Sequence, residues 1–191
     1  MRAGGANYFN PDEETNRLLA ANPGMTLEQA NSQAWEIGKK LLERAIAVGR
    51  NHAFESTLGA KTIPGLLHRA ATHGFEVHVW FCGLSSPELH LQRVAARVAA
   101  GGHNIPEAKV RERYDASRAN VAALAPFLAS LTVYDNSADA DPKTGQRPTP
   151  RKLLQTKDGD VMEFSPPEQT PEWAKPIILA AIHAAAEKKK K

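Results

Sequence analysis

Apolar residues along this chain fall into short continuous runs, and longer stretches with helical spacing separate them. Ala6-Asn7-Tyr8-Phe9 reads as a short strand that stops at Asn10-Pro11-Asp12, and Asp12-Glu13-Glu14 opens a helix to about Ala20. Thr26 followed by Gln29 is a capping-box pattern, and Gly49 is a good terminator. Between them Ala30, Ala34, Ile37, Leu41, Ala45 and Val48 recur at helical spacing and predict the buried face, which Trp35 extends. His52-Ala53-Phe54 is a brief buried strand that delivers Glu55, Ser56 and Thr57 to its C-terminal end. Gly59 turns the chain into a helix over Thr62–His73, closed by Gly74.

Phe75 to Leu84 is the clearest strand. Its near-continuous apolar run fits a strand covered on both faces, with His78 as a packed core or edge histidine. Ser85-Ser86-Pro87-Glu88 starts the next helix, Pro106 the one after, and Leu131–Asp135 is another short strand ending in Asn136-Ser137. This alternation predicts an α/β fold in which the first four strands are parallel and helices cover the sheet. From Ala138 to Pro150 the composition turns to loop. Lys152–Thr156 and Asp160–Phe164 flank Lys157-Asp158-Gly159, a hairpin signature. A proline-rich connector, Ser165 to Pro171, leads to a last helix over Lys175–Glu187 with Ile177, Ile178, Ala181 and Ile182 inward. The expected organisation is a core over residues 1–137, with the loop, hairpin and helix of 138–191 packed on the same domain.

Charge narrows the class of partner. The net charge of +3 is accounted for by the lysine run Lys188–Lys191, so the body is nearly neutral, which argues against nucleic-acid binding through bulk charge. The 191 residues, 42% hydrophobic and 24% charged, suffice for one domain with a real core. The single cysteine, Cys82, cannot form an internal disulfide and fits a reducing compartment. With neither a secretory signal nor an apolar run of membrane length, the sequence reads as cytoplasmic.

Candidate chemistry gathers at three places. Arg93 and Arg97 lie one helical turn apart, ahead of Gly101-Gly102-His103-Asn104-Ile105-Pro106, and Arg111 and Arg113 enter early in the following helix. Guanidinium groups around a glycine-bearing corner suit a polyphosphate; two surface helices with solvated arginines fit the spacing equally well. Asp12 stands at a strand-to-helix junction, where an aspartate is more often a cap than a catalytic carboxylate. Glu55, Ser56 and Thr57 could hold a substrate hydroxyl or a metal-bound water, or form a polar turn that caps the next helix.

Taken in order, NPDEE, FESTLG, GFEVHVWFCGLSSPELHLQRVAARVAAGGHNIP, RERYDASRAN and VYDNS resemble the zeta-toxin family of P-loop kinases over roughly Asn7 to Ser137. The closest resemblance is to its zeta-like members with a Gly-Gly-His motif. The resemblance implies a three-layer P-loop kinase sandwich with a mostly parallel sheet. It also implies transfer of the ATP γ-phosphate, with Mg²⁺, to a small-molecule acceptor, which is UDP-N-acetylglucosamine for the toxin members. It makes Asp12 the base toward the acceptor hydroxyl and places Glu55, Ser56 and Thr57 near the substrate. Arg93 and Arg97 fall in the lid that contacts the transferring phosphate. His103 lies where the toxins carry an arginine, and Asn136 lies near the nucleotide base. An antitoxin protein is the implied partner.

The sequence departs from the family at one motif. Members place a strand and a G-x-x-x-x-G-K-[ST] loop ahead of the Asn-Pro-Asp segment. Here Met1-Arg2-Ala3-Gly4-Gly5 stands in that place, and no Gly-Lys-Ser or Gly-Lys-Thr occurs in the 191 residues. That loop supplies backbone N–H groups and a lysine for the phosphates and a hydroxyl for Mg²⁺. Two expectations therefore stand side by side: a small-molecule kinase of zeta type that is inactive as given, and a non-catalytic binding or regulatory remnant of that family.

Overall fold

The computed structural model describes residues 7–100, 104–138 and 149–190. The chain divides into two compact units, Met1–Thr57 and Leu58–Lys191.

The first unit contains strand β1 (Asn7–Phe9), helices α1 (Pro11–Ala21) and α2 (Leu27–Ala47), and strand β2 (His52–Phe54). β1 and β2 pair in parallel, with Tyr8 opposite Ala53 and Phe9 opposite Phe54. One further bond, Glu55 N–H to Phe9 O at 3.1 Å, carries the ladder past the end of β2. α2 starts as the sequence predicts: Thr26 and Gln29 form a reciprocal capping box, and Gly49 follows the helix at φ +66°.

The α1–α2 core is narrower than the periodicity suggests. Leu18, Ala30 and Ala34 are buried, with Leu19, Met25 and Ile37 packed against them. Leu42 takes the inward place given to Leu41 in the sequence pattern; Leu41 and Val48 are exposed. Trp35 is also exposed, with the Lys39 ammonium 5.1 Å from its ring centre, so it is a surface cation–π site. Among the described residues of this unit only β1, β2 and α1 accompany α2, too few to cover the wide stripe that its apolar residues offer.

Gly38 sits in the middle of α2 because Phe9 approaches it closely. A Cβ at that position would lie 2.5 Å from Phe9 Cε1.

The second unit contains α3 (Thr62–Thr72), β3 (His78–Gly83), α4 (Pro87–Ala99), α5 (Glu107–Leu124), β4 (Ser130–Asp135), β5 (Arg151–Lys157), β6 (Asp160–Phe164) and α6 (Lys175–Lys188). Its sheet runs β3-β4-β5-β6. β3 and β4 are parallel, whereas β4–β5 and β5–β6 are antiparallel. The hairpin turns through Asp158 (φ +50°) and Gly159 (φ +78°), as Lys157-Asp158-Gly159 predicts. Leu131, Val133, Leu153, Leu154, Val121 and Ile177 are fully buried and form the centre of this unit. On α6, Ala185 is buried with Ile177, Ile178 and Ala181, whereas Ile182 is half-buried.

Two expectations about the sheet change. Among the described residues there is no single mostly parallel sheet. The four strands of the parallel prediction form two parallel pairs in two sheets, and the second sheet continues in antiparallel fashion because a hairpin extends it. In addition, β3 is shorter than Phe75–Leu84 and is not covered on both faces. Among the described residues it pairs with β4 alone, its ladder starts where Ser130 meets His78, and Trp80 is 72% exposed. His78 accordingly lies at the edge, its Nδ1 2.8 Å from Ser130 Oγ.

Gly38→Ala gains up to about 1 kcal/mol in helix propensity but must displace the Phe9 ring, and overpacking of that kind costs about 1–3 kcal/mol. The expected result is a net loss of stability in urea denaturation, and a variant more stable than the parent contradicts the close approach.

Candidate functional site

Each unit carries its own group of candidate side chains. In the first unit the group forms where β1 and β2 end side by side. The first N–H groups of α1 need acceptors, and Asn10 supplies one. Its Oδ1 accepts from Asp12 N–H at 2.8 Å and from Glu13 N–H at 3.3 Å, with Pro11 at the first helical position. Asn10 is therefore the cap, and the capping role weighed for Asp12 is corrected. The Asp12 carboxylate stays exposed in the first turn, at the positive end of the helix dipole.

The same Asn10 side chain reaches the next strand. Its Nδ2 donates to Glu55 Oε2 at 3.3 Å, and the Tyr8 hydroxyl donates to Glu55 Oε1. That bond to a carboxylate, helped by burial and by the charge of Glu55, pushes the Tyr8 hydroxyl pKa above its ordinary value. Glu55 is thus held by two donors from the β1 side, one of which, Asn10, stands two residues before Asp12. Ser56 and Thr57 follow it at exposed positions. Tyr8 and Asn10 were not singled out from sequence; the Asn-Pro-Asp order, with a cap residue before a first-turn proline, is the signal for Asn10.

In the second unit the group forms at the C-terminal ends of the parallel pair β3–β4. Ser86 caps α4, accepting from Leu89 N–H at 3.1 Å, with Pro87 in the first turn as the sequence predicts. α4 then carries Arg93 at a half-exposed position: Nη2 donates to Ala138 O at 3.2 Å, and the guanidinium acts on Cys82 and His90. Although Cys82 is exposed on its strand, partial desolvation of its sulfur raises the thiol pKa, with Arg93 opposing and Asp135 reinforcing the shift. Arg97 is exposed in the last turn of α4, where a cation complements the helix dipole. Asn136 donates its backbone N–H to Gly83 O at 2.9 Å. Its side-chain Oδ1 is buried and has no hydrogen-bond partner among the described residues. His103 lies outside the described residues.

α5 is tied to α4 by contacts that the sequence did not reveal. Arg111 bridges Glu107 at 2.8 Å and Glu88 at 2.7 Å, so its charge is matched by carboxylates. The Tyr114 hydroxyl donates to Ser85 O at 2.8 Å, the Arg118 guanidinium lies 3.4 Å from the Tyr114 ring centre, and Arg118 also pairs with Asp115. His90 meets the edge of the Tyr114 ring at 5.6 Å between centres. Among the described residues no three His, Cys, Asp or Glu side chains gather in a way that could hold a metal. No described helix is long and apolar enough to cross a membrane.

Comparison with known proteins gives the same family as the motifs. The family model described as Zeta toxin matches residues 13–141, well over half of the chain, starting one residue after Asp12. An uncharacterized protein of Haemophilus influenzae is 42% identical over 111 residues, covering 56% of this chain and 79% of that protein. No solved structure gives a significant match.

His90 provides a pH test of the α4–α5 packing. Burial, then Arg93 and Arg118, hold its pKa below the ordinary histidine value. The unfolded chain therefore binds this proton more readily, and stability present above pH ~6.5 falls as pH drops below that value. His90→Gln removes this component, so its urea stability should decline less than that of the parent between pH 7.5 and 5.5. Parallel declines contradict the assignment.

Proposed function

The chain belongs to the zeta toxin family, and from that premise we propose that it binds the small-molecule acceptor of a zeta-type phosphotransfer, a UDP-N-acetylsugar. The observation that carries this reading is the arrangement in the first unit. Asn10 caps α1 in place of Asp12 and, with Tyr8, holds Glu55, so two carboxylates flank the C-terminal ends of a parallel strand pair. Ligands of α/β proteins collect at such ends. In the proposed reaction the acceptor oxygen forms a bond to the γ-phosphorus as the bond to the β-phosphate oxygen breaks, and Asp12 accepts the hydroxyl proton. Glu55 and Thr57 orient the sugar. The family reading gives Arg93 and Arg97 to the transferring phosphate and Asn136 to the nucleotide base. His103 belongs to the same substrate segment by its place in the motif.

ATP and Mg²⁺ are the co-substrates that this reading requires. The chain's residues suit them in part. Arg93 and Arg97 offer charge to phosphate, but the 191 residues contain no Gly-Lys-Ser or Gly-Lys-Thr to cradle it. Mg²⁺ would supply charge neutralisation at the phosphates in this reading; among the described residues no three His, Cys, Asp or Glu side chains gather to hold it. A second reading, in which these 191 residues bind the acceptor without transferring phosphate, rests on the same sequence fact. An antitoxin partner and a cytoplasmic location follow from the family reading alone.

Calorimetry on this chain tests the binding claim. UDP-N-acetylglucosamine should bind, and Glu55→Gln should weaken it by roughly tenfold, the value of one or two hydrogen bonds to a charged group. Mg-ATP should bind far more weakly than micromolar, because two arginines without a preorganised pocket leave ordering costs uncompensated. No heat with the UDP-sugar in the parent chain defeats the reading; micromolar Mg-ATP binding defeats the account of the missing cradle.

Asp12→Asn separates base from structural acid. In the chain joined to a strand and G-x-x-x-x-G-K-[ST] loop, turnover should fall about a hundredfold to ten-thousandfold, with the melting midpoint nearly unchanged because Asn10 holds the cap. Near-normal turnover in a steady-state phosphotransfer assay eliminates the base assignment.

A further inference from the structure

Two non-glycine residues among those described have positive φ, Leu58 (+51°) and Asp158 (+50°). Asp158 stands in a two-residue hairpin turn, where an aspartate in that region is ordinary. Leu58 has no such reason. A large apolar residue in the left-handed region persists only where its surroundings over-determine it, and outliers of this kind cluster at functional sites.

The surroundings of Leu58 are supplied by α5. Leu58 is 7% exposed. The Asn120 carboxamide donates to Leu58 O at 2.6 Å and to Ala60 O at 3.2 Å, so one side chain spans both ends of the turn. Between them Gly59 lies against Arg113: a Cβ there would stand 2.7 Å from Arg113 Cγ and 3.2 Å from its Cα. Arg113 and Asn120 are seven residues apart, two turns of α5 on one face. Three consecutive residues, 58 to 60, are thus held by a single helix face. Thr57, the end of the Glu55-Ser56-Thr57 segment, is the residue bonded to Leu58.

We propose that Asn120 is a positioning residue. Its two donated hydrogen bonds hold the Leu58–Ala60 turn in its left-handed form, and that turn is joined by the Thr57–Leu58 peptide bond to the segment that carries Glu55, Ser56 and Thr57. The link to substrate rests on the function proposed above; the clamp itself does not. The carboxamide suits the task because it offers two N–H donors on a short, stiff side chain, and both acceptors are backbone carbonyls. Aspartate has the same shape and no donor, and leucine has similar volume and no polarity.

Hydrogen exchange by mass spectrometry on the 191-residue chain tests the clamp. In Asn120→Asp and Asn120→Leu, peptides spanning residues 55–61 should exchange about tenfold faster or more, in line with two lost hydrogen bonds, while peptides of β4 and β5 keep their protection. Gly59→Ala should loosen the same peptides by pushing the turn off α5. Unchanged exchange across residues 55–61 in all three variants overturns the proposal, as does protection in Asn120→Leu equal to the parent, which makes the contact one of packing alone. UDP-N-acetylglucosamine titrations on the same samples read the link to substrate. A loosened turn with undiminished affinity overturns the positioning role. If the parent binds no UDP-sugar, the proposed function fails while the exchange data still decide whether Asn120 holds the turn.

Discussion

The first backbone N–H groups of a helix have no partner within it, and in α1 that requirement falls on Asn10. An acceptor must stand just before Pro11, in extended backbone, at the end of β1. Asparagine meets the need with its oxygen and keeps its amide nitrogen free to donate. Because β2 runs parallel to β1, that nitrogen meets Glu55 at the same end of the ladder. The acidic first turn of α1 then has no capping duty, and Asp12 is left at the positive end of the helix with its carboxylate exposed. An aspartate at the cap position would instead spend its oxygens on backbone N–H groups and bring a second negative charge toward Glu55.

In the second unit the corresponding constraint is strand pairing. β4 is bonded on both sides, to β3 in parallel and to β5 in antiparallel fashion, and its Leu131 and Val133 are wholly buried. β3 is bonded on one side only among the described residues, and its side chains alternate between exposed and half-buried as they point to opposite faces of the sheet. Trp80 and Cys82, residues usually found inside, lie exposed on this strand. The continuous apolar run that makes β3 so visible in the sequence therefore does not translate into a buried strand.

α5 organises more of the second unit than its sequence suggests. Its buried side chains, Val110, Val121 and Leu124, are few, and Arg111, Tyr114, Arg118 and Asn120 all make polar contacts along it. Arg111, which the sequence offered to a phosphate, is matched by two carboxylates, whereas Arg93 on α4 reaches a backbone carbonyl and the Cys82 edge. Each arginine is assigned by what its helix face meets, and spacing along one helix carries no record of that.

The sequence by itself determined the local structure: the capping box at Thr26 and Gln29, the Ser86-Pro87 start, the Asp158-Gly159 turn, the strand and helix order and, through ordered motifs, the family. These depend on residues within a few positions of one another, where backbone preference and hydrogen-bond reach are set by identity alone. Only the tertiary structure decided which residue caps α1 while holding Glu55, that Leu42 rather than Leu41 faces inward, that β3 is an edge strand, and that the first four strands form two sheets. It also put Leu58 in the left-handed region under Asn120, 62 positions away. Burial and long-range hydrogen bonds depend on which surfaces meet, and a one-dimensional pattern records only which surfaces are apolar.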